Sequence, residues 1–160
     1  MKALIIYYSF SGNTEKLADG LCAFLKTRGE VVMQRLVPAN ETKNFFKQCL
    51  EARAGSKPEL GGEIKFDASG FDTICIGTPV WAFAPAPAIN TYLDKIKGIE
   101  GKRAIIFTTF GSGTGIQGCI NNIKRRLGEK NVGTIKELNV QMKKVRDPDF
   151  VKKAISELGI

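Results

Sequence analysis

Ser9, Ser11 and Thr14 place three hydroxyls in one six-residue stretch, Ser9-Phe10-Ser11-Gly12-Asn13-Thr14. Such a loop suits an anion, because each hydroxyl can donate to an oxyanion and Gly12 lets the backbone come close. No charged residue occurs from Ser9 to Thr14 and no lysine closes the loop. It is therefore not the loop that grips a nucleoside triphosphate with magnesium. Neutral donors suit a single terminal phosphate. Two further stretches carry ligand chemistry. Thr78-Pro79-Val80-Trp81-Ala82-Phe83 holds the only Trp of the chain, and aromatics in a proline-bounded loop can stack on a flat ring. Pro79, Pro85 and Pro87 would stiffen that loop, so a ring clamp would lose less entropy on binding. Thr109-Phe110-Gly111-Ser112-Gly113 offers hydroxyls at Thr109 and Ser112, and glycines that let backbone reach a ligand edge. Each stretch also has a plainer reading. Ser and Asn can simply cap a helix, and Trp81 can anchor its loop to the domain. Gly113-x-Gly115-x-x-Gly118, with Glu137 downstream, matches a dinucleotide fingerprint. That fingerprint belongs to a first strand-to-helix turn, and here the turn is the fourth.

The elements that must position these loops alternate along the chain. Ala3–Tyr8 reads as a buried strand, followed by a helix from about Asn13 to Arg28 with Leu17, Leu21, Cys22 and Leu25 on one face and Gly29 as its stop. Glu30–Val37 reads as a second strand ending at Pro38, and Phe45, Phe46, Cys49 and Leu50 mark a short helix. Gly55–Gly62 reads as a loop. Thr73–Gly77 is a short, fully apolar strand that leads into the Thr78–Pro87 loop and a helix from about Ala88 to Lys97. Ala104–Phe110 is the fourth strand, with a helix running to Leu127, and a fifth strand falls within Gly133–Met142. Asp147 and Pro148 cap and open the last helix, which carries Phe150, Val151, Ile155 and Leu158. Five such units imply an α/β three-layer sandwich around a five-stranded parallel sheet. Ligands bind such sheets beyond the carboxyl ends of the strands, where the three loops converge. The first loop opens a helix, whose N-terminus favours negative charge.

At 160 residues and 43% hydrophobic content, one domain spanning residues 1–160 with a substantial core is expected. Cys22, Cys49, Cys75 and Cys119 form no C-x-x-C pair, and the chain has no histidine to complete a metal cluster. They read as small apolar residues in a reduced compartment. With the first strand starting at once no signal peptide is expected, and no apolar run approaches the ~20 residues that span a bilayer. A cytoplasmic protein without membrane association is expected.

The assembled site offers a single phosphate position at one end and an aromatic plane at the other. It lacks an acid–base pair and a nucleophile–histidine pair. Flavin mononucleotide (FMN) fits this inventory, the cofactor supplying the chemistry. Over nearly its whole length the chain resembles the short-chain flavodoxins. Ser9-Phe10-Ser11-Gly12-Asn13-Thr14 resembles their phosphate loop. Gly77-Thr78-Pro79-Val80-Trp81-Ala82, followed by Pro85, resembles the loop flanking the ring. Gly101-Lys102 and Thr109-Phe110-Gly111-Ser112-Gly113 resemble the approach to, and body of, the other ring loop. The resemblance implies a flavodoxin-like sheet of order 2-1-3-4-5 and FMN as cofactor. It also implies that Ser9, Ser11, Asn13 and Thr14 hold the phosphate, that Trp81 stacks on the isoalloxazine, and that backbone from Thr109 to Gly113 lines its pyrimidine edge. No long insertion splits the fifth-strand region.

By the same resemblance the chain is an electron carrier, shuttling one or two electrons between redox partner proteins. The Pro-x-Trp loop also resembles NAD(P)H-dependent FMN or quinone reductases, although the sequence defines no nicotinamide pocket. A flavin-binding regulatory module is a third class. Flavodoxins are strongly acidic, whereas this chain has a net charge of +8. Lys124, Arg125 and Arg126 form one basic cluster, and Lys143, Lys144 and Arg146 another. They read either as solvated faces or as steering toward an acidic partner, a ferredoxin-like protein or a reductase. No aromatics interleave with them, so nucleic acid is not expected. A monomer or weak dimer is expected.

Overall fold

The computed structural model describes residues 1–160. Strand β1 (Lys2–Tyr7) lies between β2 (Glu30–Arg35) and β3 (Thr73–Trp81), and β3 pairs in turn with β5 (Arg103–Phe110), which pairs with β6 (Thr134–Gln141). All four pairings are parallel, so the five long strands follow the expected order. Period-two alternation divides β1 between two cores. Leu4 and Ile6 face one together with Tyr8, and Ala3, Ile5 and Tyr7 face the other. Each fully buried Leu or Ile contributes ~1.5–3 kcal/mol relative to exposure.

Helices α1 (Asn13–Lys26) and α5 (Pro148–Ser156) cover one face; α2 (Phe45–Arg53), α3 (Pro87–Lys95) and α4 (Ile116–Gly128) cover the other. α1 buries Leu17, Ala18, Leu21, Cys22 and Leu25, the stripe its sequence announced. α5 starts as read: the Asp147 side chain accepts from the N–H groups of Asp149 and Phe150, with Pro148 in the first helical turn. Cys22, Cys75 and Cys119 are buried, Cys49 is half-buried, and all four are free. Burial pushes the Cys119 thiol up to about 12, as suits an inert core residue.

Two elements differ from the sequence reading. The third strand was expected to stop at Gly77, leaving Thr78–Phe83 as a loop. Instead β3 continues to Trp81, turns through Ala82 and Phe83, and returns as a two-residue strand, β4 (Ala84–Pro85). Pro79 suggested a break, but the hairpin is tied from within. The buried Thr78 hydroxyl donates to the Pro79 carbonyl at 2.9 Å and accepts from the Ala86 N–H at 2.9 Å. In α2 three of the four apolar residues that signalled the helix are largely exposed, and only Cys49 packs against the core. Phe45, Phe46 and Leu50 are 51%, 72% and 55% exposed, while Gln48 and Ala52 are buried. Gln48 is held inside by the Tyr8 hydroxyl and by its own bond to the Thr42 carbonyl.

Candidate functional site

The first loop leaves β1 and enters α1 through Gly12, whose φ of 82° lies in the left-handed region. Glycine adopts that conformation without steric cost. No side chain caps the helix at this residue; one hydroxyl, that of Ser9, accepts from the Glu15 N–H at 3.3 Å. None of the backbone N–H groups from Ser9 to Thr14 donates to a protein acceptor. These are the donors a helix N-terminus offers to an anion. Thr14 and Thr109 share a buried hydroxyl–hydroxyl bond of 2.8 Å, which joins the first loop to the third. That bond uses one of their two protons, so the other remains to donate outward. Asn13 Nδ2 donates to Ser11 Oγ at 2.9 Å and braces the loop. Arg35, at the end of β2, donates to the Ser9 carbonyl at 2.8 Å. A cation therefore stands behind a loop that carries none of its own, although the Glu15 carboxylate 3.8 Å away offsets it.

Trp81 is 3% exposed, within an aromatic nest rather than on an open loop. Tyr8, Phe10 and Phe45 each meet it edge-on, with ring centroids 5.6, 5.9 and 5.5 Å away. Such contacts add roughly 0.5–1.5 kcal/mol per pair beyond area burial. Burial, and then the Glu41 carboxylate, push the Tyr8 phenol far above its ordinary range, so it stays neutral. Ala82 and Phe83 at the hairpin tip hold φ of 47° and 70°. That strain costs non-glycine residues ~1–2 kcal/mol each. The turn carries Phe83 away from Trp81 and onto the start of α4. A Cβ at Gly115 would lie 3.1 Å from the Phe83 ring, and one at Gly118 would lie 3.1 Å from the Phe83 carbonyl oxygen. The Gly113-x-Gly115-x-x-Gly118 spacing thus lets a hairpin pack against a helix. Glu137, the acid of that apparent fingerprint, is ion-paired to Lys124.

The three loops meet at a cavity of about 250 Å³. Ser11 and Thr14 line it at the α1 end, Thr109 near the carboxyl end of β5, and Phe10, Pro79 and Trp81 along its apolar side. The remaining expected residues surround it. Ser9 and Thr78 are buried, with hydroxyls engaged by the protein. Val80, Ala82 and Phe83 belong to the hairpin, and Phe110 to the end of β5. Gly111 accepts from Gln141 Nε2 at 2.9 Å, which steadies the loop that also carries Ser112 and Gly113. Sequence reading missed Phe45 and Met142, which also line the cavity. Met142 follows the carboxyl end of β6, so the sheet-edge rule that found the other loops also reaches it. No sequence signal pointed to Phe45, because its helix was visible but the face the sheet would bury was not.

The two basic clusters have separate roles. Arg126 is buried, donating to Asn90 Oδ1 at 2.9 Å, to the Asn90 carbonyl at 2.6 Å and to Asp94. Arg125 pairs with Glu129 at 2.6 Å, and Lys124 with Glu137. Lys143, Lys144 and Arg146 enter no ion pair. Lys143 and Arg146 line a cleft with Asn13 and Met142, beside the phosphate-loop candidate. Positive charge thus lies close to the neutral loop. No helix is long and apolar enough to cross a membrane.

A family model described as Flavodoxin matches residues 2–154. A flavoprotein from Lactobacillus acidophilus NCFM, solved in complex with FMN, is 26% identical with a TM-score of 0.65, covering 92% of this chain and 98% of that one. Oxidised flavodoxin 1 from Bacillus cereus is 17% identical with a TM-score of 0.68, covering 99% of this chain and 95% of that one, and shares the fold. A curated relative, NAD(P)H dehydrogenase (quinone) from Paracoccus denitrificans, is 28% identical over 122 residues. The match spans 71% of this chain but only 56% of that longer protein.

Proposed function

The chain belongs to the flavodoxin family, and on that premise we propose that it binds FMN and carries one or two electrons between redox partner proteins. The observation that carries this reading is the unpaired N–H row from Ser9 to Thr14 opening beside an aromatic-walled cavity. One end has the donors a phosphate dianion needs, and the other has the apolar walls a flat ring needs, so the residues present fit the cofactor. Ser11, Asn13 and Thr14 with their backbone N–H groups would hold the phosphate, and Phe10, Phe45 and Trp81 would flank the ring. Bound FMN supplies one- and two-electron exchange. The protein binds and orients it and excludes water from the ring. The unpaired Lys143, Lys144 and Arg146 favour an acidic partner protein at this edge. A net charge of +8 lowers the work of adding negative charge at the site. Redox titration should therefore give a raised potential for full reduction, and a potential as low as that of acidic flavodoxins counts against this reading of the charge.

The second reading is an NAD(P)H-dependent FMN or quinone reductase, favoured by the name of the Paracoccus relative. Anaerobic mixing of the FMN-loaded protein with NADPH separates the two. Slow or absent bleaching of the flavin supports the carrier, and rapid bleaching without a partner protein supports the enzyme.

A further inference from the structure

Arg35 is the last residue of β2, the edge strand, and it does not line the cavity where the three loops meet. Its side chain is 42% exposed, yet its Nη2 donates to the Ser9 carbonyl at 2.8 Å. Ser9 itself is fully buried. No backbone N–H donates to that carbonyl, so Arg35 is its one protein partner. We propose that Arg35 is a positioning residue for the cofactor phosphate: through the Ser9 carbonyl it holds the Ser9–Phe10 peptide with the Phe10 N–H turned into the anion site. The proposal rests on the flavin reading of the cavity.

The geometry of one peptide unit leads to this assignment. The chain contains no cis peptide bond, and in a planar trans unit the C=O and the following N–H point in opposite directions. With the Ser9 carbonyl aimed at the guanidinium, the Phe10 N–H points away from Arg35, and it meets no protein acceptor. Ser9 has little freedom to turn. Its hydroxyl accepts from the Glu15 N–H at 3.3 Å, so the residue is gripped at both side chain and carbonyl. The guanidinium is steadied in turn. Arg35 Nη1 lies 3.8 Å from the Glu15 carboxylate, which also accepts from the hydroxyl of Tyr7 at 3.0 Å, and Tyr7 is the β1 residue paired with Arg35. Glu15 offsets the charge of Arg35 at long range but not its directional bond to Ser9. That bond also polarises the peptide and makes the Phe10 N–H a stronger donor. Without it, a buried carbonyl would lose its partner, and the peptide would rotate to find water. The rotation would carry the Phe10 N–H out of the phosphate position.

Arg35→Met and Lys153→Met each remove one positive charge, but only the first removes the bond to Ser9. Lys153 is exposed on α5 and enters no ion pair. Titrating each apoprotein with FMN and with riboflavin reads the phosphate separately from the ring. Arg35→Met should weaken FMN binding about tenfold, as expected for one charge-assisted hydrogen bond, and leave riboflavin binding unchanged. Lys153→Met should change neither. The Arg35→Met loss should persist at about 1 M salt, where the screening length falls to ~3 Å. Equal losses for FMN and riboflavin would mean a structural role alone. Equal losses in the two variants, or a loss that vanishes at high salt, would mean charge alone. Each of these overturns the proposal, as does unchanged FMN affinity. A second arm follows the Phe10 amide by NMR while inorganic phosphate is added to the apoprotein. Its proton should move downfield in the wild-type protein and not in Arg35→Met. No Phe10 shift in the wild-type protein, or the same shift in both, overturns the proposal. If FMN itself does not bind, the flavin reading fails, and the phosphate arm decides the role of Arg35 on its own.

Discussion

Helix α1 follows β1 and helix α4 follows β5, and both begin at a glycine in the left-handed region, with φ of 82° at Gly12 and 88° at Gly115. Neither has a side-chain cap at that residue. By dipole and unpaired donors alone, each would serve equally as an anion site. Their neighbours separate them. Around Gly12 an ideal Cβ would meet nothing within 4 Å, and the adjoining side chains are hydroxyls and an amide. Over Gly115 and Gly118 lies Phe83, held there by a strained two-residue turn. A helix N-terminus becomes a ligand site only where the rest of the fold leaves it open and supplies donors. The same fold has used its second terminus to seat a hairpin.

The sharpest way to break this comparison is to place a carboxylate at each terminus. Ser11→Asp should weaken FMN binding by about 30-fold or more, through charge repulsion and a lost donor, whereas Thr114→Asp at the α4 terminus should leave the FMN dissociation constant unchanged. Equal losses would mean that both termini face the phosphate. Thr14→Ala removes one donor and the tie to Thr109, and fluorescence titration should show FMN binding weakened by roughly 1–3 kcal/mol. The glycines sharpen the contrast through stability. Gly115→Ala adds contact with Phe83 to the strain of a positive φ, so thermal unfolding should show a loss of about 1–2 kcal/mol with FMN affinity retained. The aromatics give the smallest difference. Trp81→Phe should raise bound-flavin fluorescence and shift its potential, while Phe83→Ala should change neither. A flavin response to Phe83→Ala would place that side chain at the ring after all.

The parallel sheet was legible because apolar runs such as Ile74–Ile76 and Ala104–Phe107 have buried neighbours on both faces and so carry no polar alternation, whereas its strand order was implied only by the resemblance to flavodoxins. α1 and α5 were legible from their stripes, and α5 also from the Asp147-Pro148 start. The hairpin was not, because Pro79 reads locally as a stop, and what closes the turn is the Thr78 hydroxyl accepting from the Ala86 N–H eight residues on. The same limit hid Phe45. Its helix was visible, but which face the sheet would bury depended on Gln48 finding Tyr8. The basic clusters looked alike in sequence. Asp94, Glu129 and Glu137 neutralise one of them, and two of those carboxylates come from other elements.

The central claim is that the open terminus of α1 holds a phosphate while the aromatic cavity holds a ring. Titrating the apoprotein with FMN and with riboflavin, which differ only in that phosphate, tests it most directly. The account predicts tight FMN binding and riboflavin binding weaker by at least about 100-fold, since several charge-assisted hydrogen bonds of ~1.5–3 kcal/mol each are missing. Equal affinity for the two would contradict it, and would leave the N–H row from Ser9 to Thr14 with no part in binding.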